Sequence, residues 1–146
     1  MAAKFPVEGS KCDFLPECTR RILDSAIHVH RTLGPGLLES TYRVCLTHRL
    51  RLDGMQVRAE VPIGIEYCGL AIDSAFRADL IVDDAVIVEL KAVERLLPLH
   101  AAQVYTYLKL ARRPIGLLIN FNVPRLMTGV RRIIAPRFTG SVSPRP

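Results

Sequence analysis

Glu89 and Lys91 stand two residues apart in "AVIVELKAVE", Ala85–Glu94, where Val86, Ile87 and Val88 otherwise read as a strand. Residues two apart on a strand share a face, so this carboxylate and ammonium project together while Val88 and Leu90 turn to the core. An unpaired buried carboxylate is expensive, so the charged face is expected to meet water, a partner or a cation. Asp79, in "FRADLIV", lies ten residues before Glu89. Whether the two meet depends on how the strands Ala75–Val82 and Val86–Val93 are joined. A two-residue loop at Asp83-Asp84 pairs Asp79 with Val88 and sends Glu89 to the other face. A three-residue loop, Asp83 to Ala85, pairs Asp79 with Glu89. The chemistry requires the odd loop or a bulge. Two adjacent carboxylates repel, and a divalent cation relieves that repulsion. Magnesium or manganese fits best, because each keeps several waters beside one or two carboxylates. Such an ion acidifies bound water and stabilises charge on a phosphoryl group, and Lys91 would position the attacking hydroxide or neutralise the developing charge. The plainer account is a salt-bridged surface strand, which contributes little to stability.

Two other groups share this chemistry-bearing character. In "GPGLLESTY", Gly36, Glu39 and Tyr42 are three apart, so Glu39 and Tyr42 share a face of a helix's opening turn. A carboxylate there also simply complements the helix dipole. In "HAAQVYTY", Gln103 and Tyr107 are four apart and project together from a helix, with His100 just before them. A Tyr packed in the core beside an exposed Gln is the ordinary alternative.

The elements that must position these residues follow from periodicity. Apolar residues from Ile22 to Leu33 predict a helix over Glu17–Leu33, stopped by Gly34-Pro35-Gly36. A second helix is expected over Leu37–Leu52, closed by Asp53-Gly54. Val57, Ala59, Val61, Ile63 and Ile65 alternate as in a half-buried strand, and Cys68-Gly69 marks a turn before the two strands around Asp83-Asp84. Pro98 opens a crossover helix reaching Ala111. Ile115–Phe121 is apolar enough for a central strand, and Val123–Ile134 predicts a last amphipathic helix. Helices, a three-stranded meander, a crossover helix and a strand give a mixed α+β or α/β fold, its sheet covered by helices. One domain is expected over residues 15–136, after an arm at 1–14 and before a disordered tail at 137–146.

With 146 residues, 49% of them apolar, the chain can build a sizeable core. It lacks both a run long enough for a membrane helix and a secretory pattern, so a soluble cytoplasmic protein with no membrane partner is expected. Cys12, Cys18, Cys45 and Cys68 match no zinc spacing and are expected to be reduced and structural. The formal charge of +6 is compatible with a polyanionic partner, and basic residues gather late, at Lys109, Arg112, Arg113, Arg125, Arg131, Arg132 and Arg137. A mean hydropathy of +0.22 leaves room for a subunit interface, so a homo-oligomer, at least a dimer, is expected.

Asp79 followed by Glu89-Leu90-Lys91 resembles the D…(D/E)xK signature of the PD-(D/E)XK nuclease superfamily, and Gln103…Tyr107 resembles the QxxxY motif of its exonuclease-like branch. "GPGLLESTY", "FRADLIV", "VIVELKAVE", "HAAQVYTYLKL" and "GLLINFNVP" together resemble the bacterial GxxExxY family, over roughly Ile22 to Ile134. Ala78 stands where the superfamily's name has proline. The resemblance implies a restriction-endonuclease-like αβββαβ core. It implies Asp79 and Glu89 as metal ligands, with the Leu90 carbonyl as a third, Glu39 as the acidic residue of the first core helix, and Lys91 as the catalytic lysine. Gln103, Tyr107 and Tyr42 would contact substrate or brace the site, with Arg77, His100 and His30 in support. The expected activity is Mg2+- or Mn2+-dependent hydrolysis of nucleic-acid phosphodiester bonds, with DNA preferred over RNA. The alternative is a catalytically silent nuclease fold acting as a nucleic-acid-binding or oligomeric scaffold.

Overall fold

The turn at Asp83-Asp84 decides the register on which the candidate site depends. Both residues adopt positive φ, 48° and 55°, as a primed hairpin turn requires. The Ala85 N–H closes the turn on the Val82 carbonyl at 3.0 Å. Ala85 is then passed over, and the ladder resumes with Val82 opposite Val86, Ile81 opposite Ile87 and Leu80 opposite Val88. The connection is therefore the three-residue form, and the same register continued by one pair sets Asp79 opposite Glu89.

A computed structural model describes residues 15–135 of the chain. The arm expected at 1–14 and the tail expected at 137–146 lie outside the described residues. Helix α1 (Leu15–Leu33) buries Cys18, Ile22, Ala26 and Val29 at three- and four-residue spacing, a helix stripe facing a core. Gly34, at a φ of +73°, ends it. Helix α2 (Glu39–Leu52) buries Tyr42, Leu46 and Leu50, successive positions four apart. Strands β1 (Val57–Tyr67), β2 (Leu70–Val82) and β3 (Val86–Lys91) form the meander. Helix α3 (Pro98–Ala111) crosses over to β4 (Ile115–Asn120), and β5 (Val130–Ile134) completes a five-stranded sheet of order β1-β2-β3-β4-β5. The β3–β4 pair is parallel, as a helical crossover demands, and the other pairs are antiparallel.

The sheet is covered on both faces. Leu80, Val82, Val86, Val88, Leu90, Leu117 and Ile119 join the buried stripes of α1 and α2 in one cluster. On the other face Ala78, Ile81, Ile87 and Leu118 meet Val104 and Leu108 of α3. Full burial of a Leu or Ile side chain contributes about 1.5–3 kcal/mol, so these alternating sets fix which face each β3 residue takes. Val88 and Leu90 are fully buried under α1 and α2 as expected, which leaves Ile87, Glu89 and Lys91 on the α3 side. Gly116 allows the close approach of α3, since a Cβ there would lie 2.6 Å from Val104 Cγ1.

Three expectations fail. Val123–Ile134 forms no amphipathic helix: a 3-10 turn at Leu126–Gly129 leads into β5, which runs antiparallel to β4. The apolar spacing there suits a helix, but β-branched Val130, Ile133 and Ile134 suit an edge strand, and β4 needs a partner on its open side. Strand β2 begins at Leu70, five residues earlier than expected, because the β1–β2 hairpin extends as an arm in which Tyr67, Leu70 and Ile72 are exposed. Cys18 is disulfide-bonded, whereas Cys45 and Cys68 are free thiols. Among the described residues no helix is long and apolar enough to cross a membrane.

Candidate active site

Past the Leu80–Val88 pair, β2 and β3 part, and two side chains take over from the backbone ladder. The Asp79 N–H donates to Glu89 Oε1 at 2.9 Å, and the Leu90 N–H donates to Asp79 Oδ2 at 2.8 Å. Each carboxylate thus spends one oxygen on the opposite strand, and these bonds fix both groups in place. Within a strand, a residue's N–H and C=O leave by the same edge, so the Leu90 carbonyl also faces the gap opened beside β2. Opposite Asp79 in β1 stands Glu60, where the β1–β2 register skips a pair and the backbone turns to a φ of 52°.

Glu89 is 7% exposed. Burial first, and the neighbouring Asp79 charge second, push its carboxyl up to about 8, with Lys91 pulling the other way. Burial also pushes Glu39 up, again aided by Asp79, while Lys91, Arg43 and His100 oppose the shift. The same field reaches α3: burial and then the charges of Glu89 and Asp79 push the Tyr107 phenol up. Glu39, Asp79, Glu89, Lys91 and Tyr107, drawn from α2, β2, β3 and α3, therefore share one electrostatic neighbourhood. Among the described residues the Lys91 ammonium has no ion pair within 4.0 Å.

Other residues singled out in the sequence make contacts of their own. Tyr42 is fully buried; its hydroxyl donates to the Gly34 carbonyl at 2.5 Å and accepts from the Leu37 N–H at 3.1 Å. Its ring stacks on Phe121 at 4.5 Å, so it clamps the turn that delivers Glu39 to the first position of α2. Tyr107 stacks on Phe76 of β2 at 4.0 Å, close to parallel. Gln103 is half-buried one turn before it. His100 Nδ1 accepts from the Leu97 N–H at 3.0 Å, which in the neutral ring puts the proton on Nε2. His30 is buried and its Nε2 donates to the Val123 carbonyl at 2.8 Å. Arg77 is exposed and lies 3.8 Å from Glu60.

Two residues escaped the sequence reading. Arg43 lies 3.8 Å from Asp79 Oδ1 and 3.5 Å from Glu60 Oε1, with its side chain 20% exposed. Its position four residues after Glu39, on the same helix face, was the available signal. Asn120 pairs in register with Lys91, and its side chain accepts the Val93 N–H at 3.1 Å and donates to the Val93 carbonyl at 2.8 Å. It pins the segment that leaves β3 just beyond the lysine. A polar residue ending the apolar run "IGLLIN" could have indicated it.

The donor set fits a hard, oxygen-seeking dication. Asp79 Oδ1 and Glu89 Oε2 are the oxygens not engaged by the strand N–H groups, and the Leu90 carbonyl borders the same gap. Among the described residues no three His, Cys, Asp or Glu side chains converge as a metal cage. Two carboxylates suit an ion that keeps most of its water and do not suit the closed tetrahedral sites of zinc.

The sequence profile of the PD-(D/E)XK nuclease superfamily matches residues 16–133. Among solved structures, the crystal structure of SSO0001 shares the fold, with a TM-score of 0.53 and 22% identity over 82% of this chain and 64% of that one. The chain thus spans somewhat under two thirds of that protein's length. No curated protein sequence matches. A five-stranded mixed sheet between helices is the restriction-endonuclease-like arrangement, and with the profile match over most of its length the chain belongs to the PD-(D/E)XK nuclease superfamily.

Proposed function

We propose that this protein is a divalent-metal-dependent nuclease of the GxxExxY branch that hydrolyses phosphodiester bonds, in DNA in preference to RNA, in the cytoplasm and as a homo-oligomer. The observation that carries the reading is the approach of Asp79 and Glu89 at the parting of β2 and β3, with Lys91 on the face of Glu89. Nothing in a purely structural role requires two carboxylates in a site that pushes one of them up to about 8.

Asp79, Glu89 and the Leu90 carbonyl would hold Mg2+ or Mn2+, with Glu39 completing the negative field from α2. Such an ion supplies a water acidic enough to attack at neutral pH and a counter-charge for the phosphoryl oxygens. Lys91 faces the place where negative charge develops on the attacked phosphate and stabilises it there. Tyr107 and Gln103 border the same space from α3 and orient the substrate strand. Tyr42 and Asn120 are positioning residues, acting through the Glu39 turn and the segment after Lys91.

The test is cleavage of linear, circular and single-stranded DNA and of RNA with Mg2+, Mn2+ or EDTA. Lys91→Ala and Glu89→Ala are each expected to lower metal-dependent cutting by about 10²–10³-fold or more while remaining folded. Cutting retained in either variant removes that residue's role. A folded wild type inert on every substrate leaves the scaffold or binding alternative.

A further inference from the structure

Helix α2 carries Arg43, Thr47 and Arg51 at four-residue intervals, and with His48 they line one wall of a groove whose other wall is Ala59 and Glu60 of β1. The groove has a volume of about 360 Å³ and opens beside the acidic pair, because Arg43 belongs to both. Arg43 stands between Asp79 at 3.8 Å and Glu60 at 3.5 Å, too far in the first case for a hydrogen bond and at the limit in the second. Its planar fork of five donors is therefore held by charge alone. Arg51 is anchored at the far end by one Nη2 bond to the Val57 carbonyl at 2.8 Å, which leaves its remaining donors available. Glu60, between the two sites, is held at a φ of 52°, a left-handed backbone conformation that is strained for a residue other than glycine.

The late arginines offer less. Arg113 is 17% exposed and bound to Asp84 at 2.6 Å, at the end of β3 opposite Lys91. Arg131 directs Nη1 to the carbonyls of Thr128 and Val130.

We infer that the groove between α2 and β1 seats the sugar-phosphate backbone next to the scissile bond, with Arg43 moving from Asp79 to a phosphate oxygen when a divalent cation takes the carboxylates. The inference rests on the nuclease reading for its placement of the scissile bond. Arg43 stands where a cation would sit against Asp79 Oδ1, so the two positive charges exclude one another. The displaced guanidinium has a phosphate geometry it matches in two parallel bonds. Arg51 takes a phosphate further along the strand, and His48 lies at the rim between them.

The experiment measures binding without cleavage. Fluorescent 20-mers of single- and double-stranded DNA and of RNA are titrated with the full chain in EDTA and in Ca2+, at several salt concentrations. Arg51→Ala is expected to weaken binding about 3–10-fold and to lower the slope of log K against log salt by about one. Arg131→Ala/Arg132→Ala is expected to bind as wild type. Groove variants that bind as wild type, or a loss confined to the Arg131/Arg132 double variant, overturn the groove. The three oligonucleotides report which backbone it takes, and no binding to any of them also overturns it. Calcium binding to nucleic-acid-free protein tests the exchange: Arg43→Ala, shown folded by its melting curve, is expected to bind Ca2+ several-fold more tightly, and unchanged or weaker binding overturns it. Binding that tracks the groove with no cleavage by wild type keeps the groove and removes the nuclease reading. Cleavage with indifferent groove variants does the reverse.

Discussion

One hairpin carries two acidic pairs, Asp83-Asp84 at its turn and Asp79 with Glu89 at its open end, and they do opposite things. At the turn each carboxylate is provided for. Asp83 accepts the Gln56 N–H at 2.7 Å while its own N–H donates to the Gln56 carbonyl at 2.8 Å. Asp84 is largely exposed and paired with Arg58 at 3.0 Å and Arg113 at 2.6 Å. At the open end the carboxylates face each other, Glu89 is buried, and the nearest guanidinium stays 3.8 Å away. The residue types are nearly the same. What differs is the set of partners: at the turn the charges meet backbone and guanidinium groups, and at the open end one oxygen of each carboxylate is left unengaged by the strand N–H groups.

The largest effect is expected from neutralising the buried member of the open pair without changing its size. Glu89→Gln keeps an oxygen for the Asp79 N–H but removes the charge. Metal-dependent cleavage is expected to fall about 10³-fold in the assay already described. Stability moves the other way. The folded-state pKa of Glu89 lies above its ordinary 4.5, so the folded protein holds a proton that the unfolded chain has released. The stability linked to that proton is complete below about 4.5 and is lost as pH rises to about 8. Relieving it is expected to stabilise metal-free protein at pH 8 by roughly 2–4 kcal/mol, several degrees in Tm by calorimetry. A variant less stable than wild type at that pH would mean that Glu89 is a structural residue like Asp83.

Metal binding gives the next largest effect. A dication held by Glu89 would need the ionised carboxylate and so would compete with its proton below about 8. Mg2+ or Mn2+ affinity is expected to fall about tenfold per pH unit from 8 to 6 and to release close to one proton per ion bound at pH 7, read by calorimetry in buffers of different ionisation enthalpy. Affinity flat over that range, with no proton released, would place the ion away from Glu89.

The sequence exposes the charged strand face and leaves one parity undecided. Glu89, Lys91 and the apolar partners Val88 and Leu90 follow from period two alone, and their faces are as expected. The choice between two and three loop residues rests on Ala85, a small apolar residue with no turn signature of its own; the pairing of Val82 with Val86 resolves it. Tyr42 was legible as a neighbour of Glu39, but its clamp on Gly34 and its stacking on Phe121 join segments far apart in sequence. The same distance hid Asn120 from Lys91. β5 was lost for a different reason, because "VRRII" fits both a helix stripe and an edge strand, and only the open flank of β4 distinguishes them.

The smallest expected effect belongs to the turn and is the control for the rest. Asp84→Asn removes a charge whose side chain is 70% exposed, so its ion pairs with Arg58 and Arg113 are screened by water. Arg113 is the more demanding partner: its Nε is buried and without a hydrogen-bond partner among the described residues, so it depends more than Arg58 on the carboxylate. Even so, asparagine keeps an oxygen for the Arg113 Nη2 contact and tolerates the left-handed φ of 55° better than most residues. The cost is therefore expected to stay near or below about 1 kcal/mol in chemical denaturation, with cleavage and metal affinity unchanged. A loss of cleavage in Asp84→Asn comparable to that in Glu89→Gln would erase the distinction, because the two ends of the hairpin would then be one electrostatic unit.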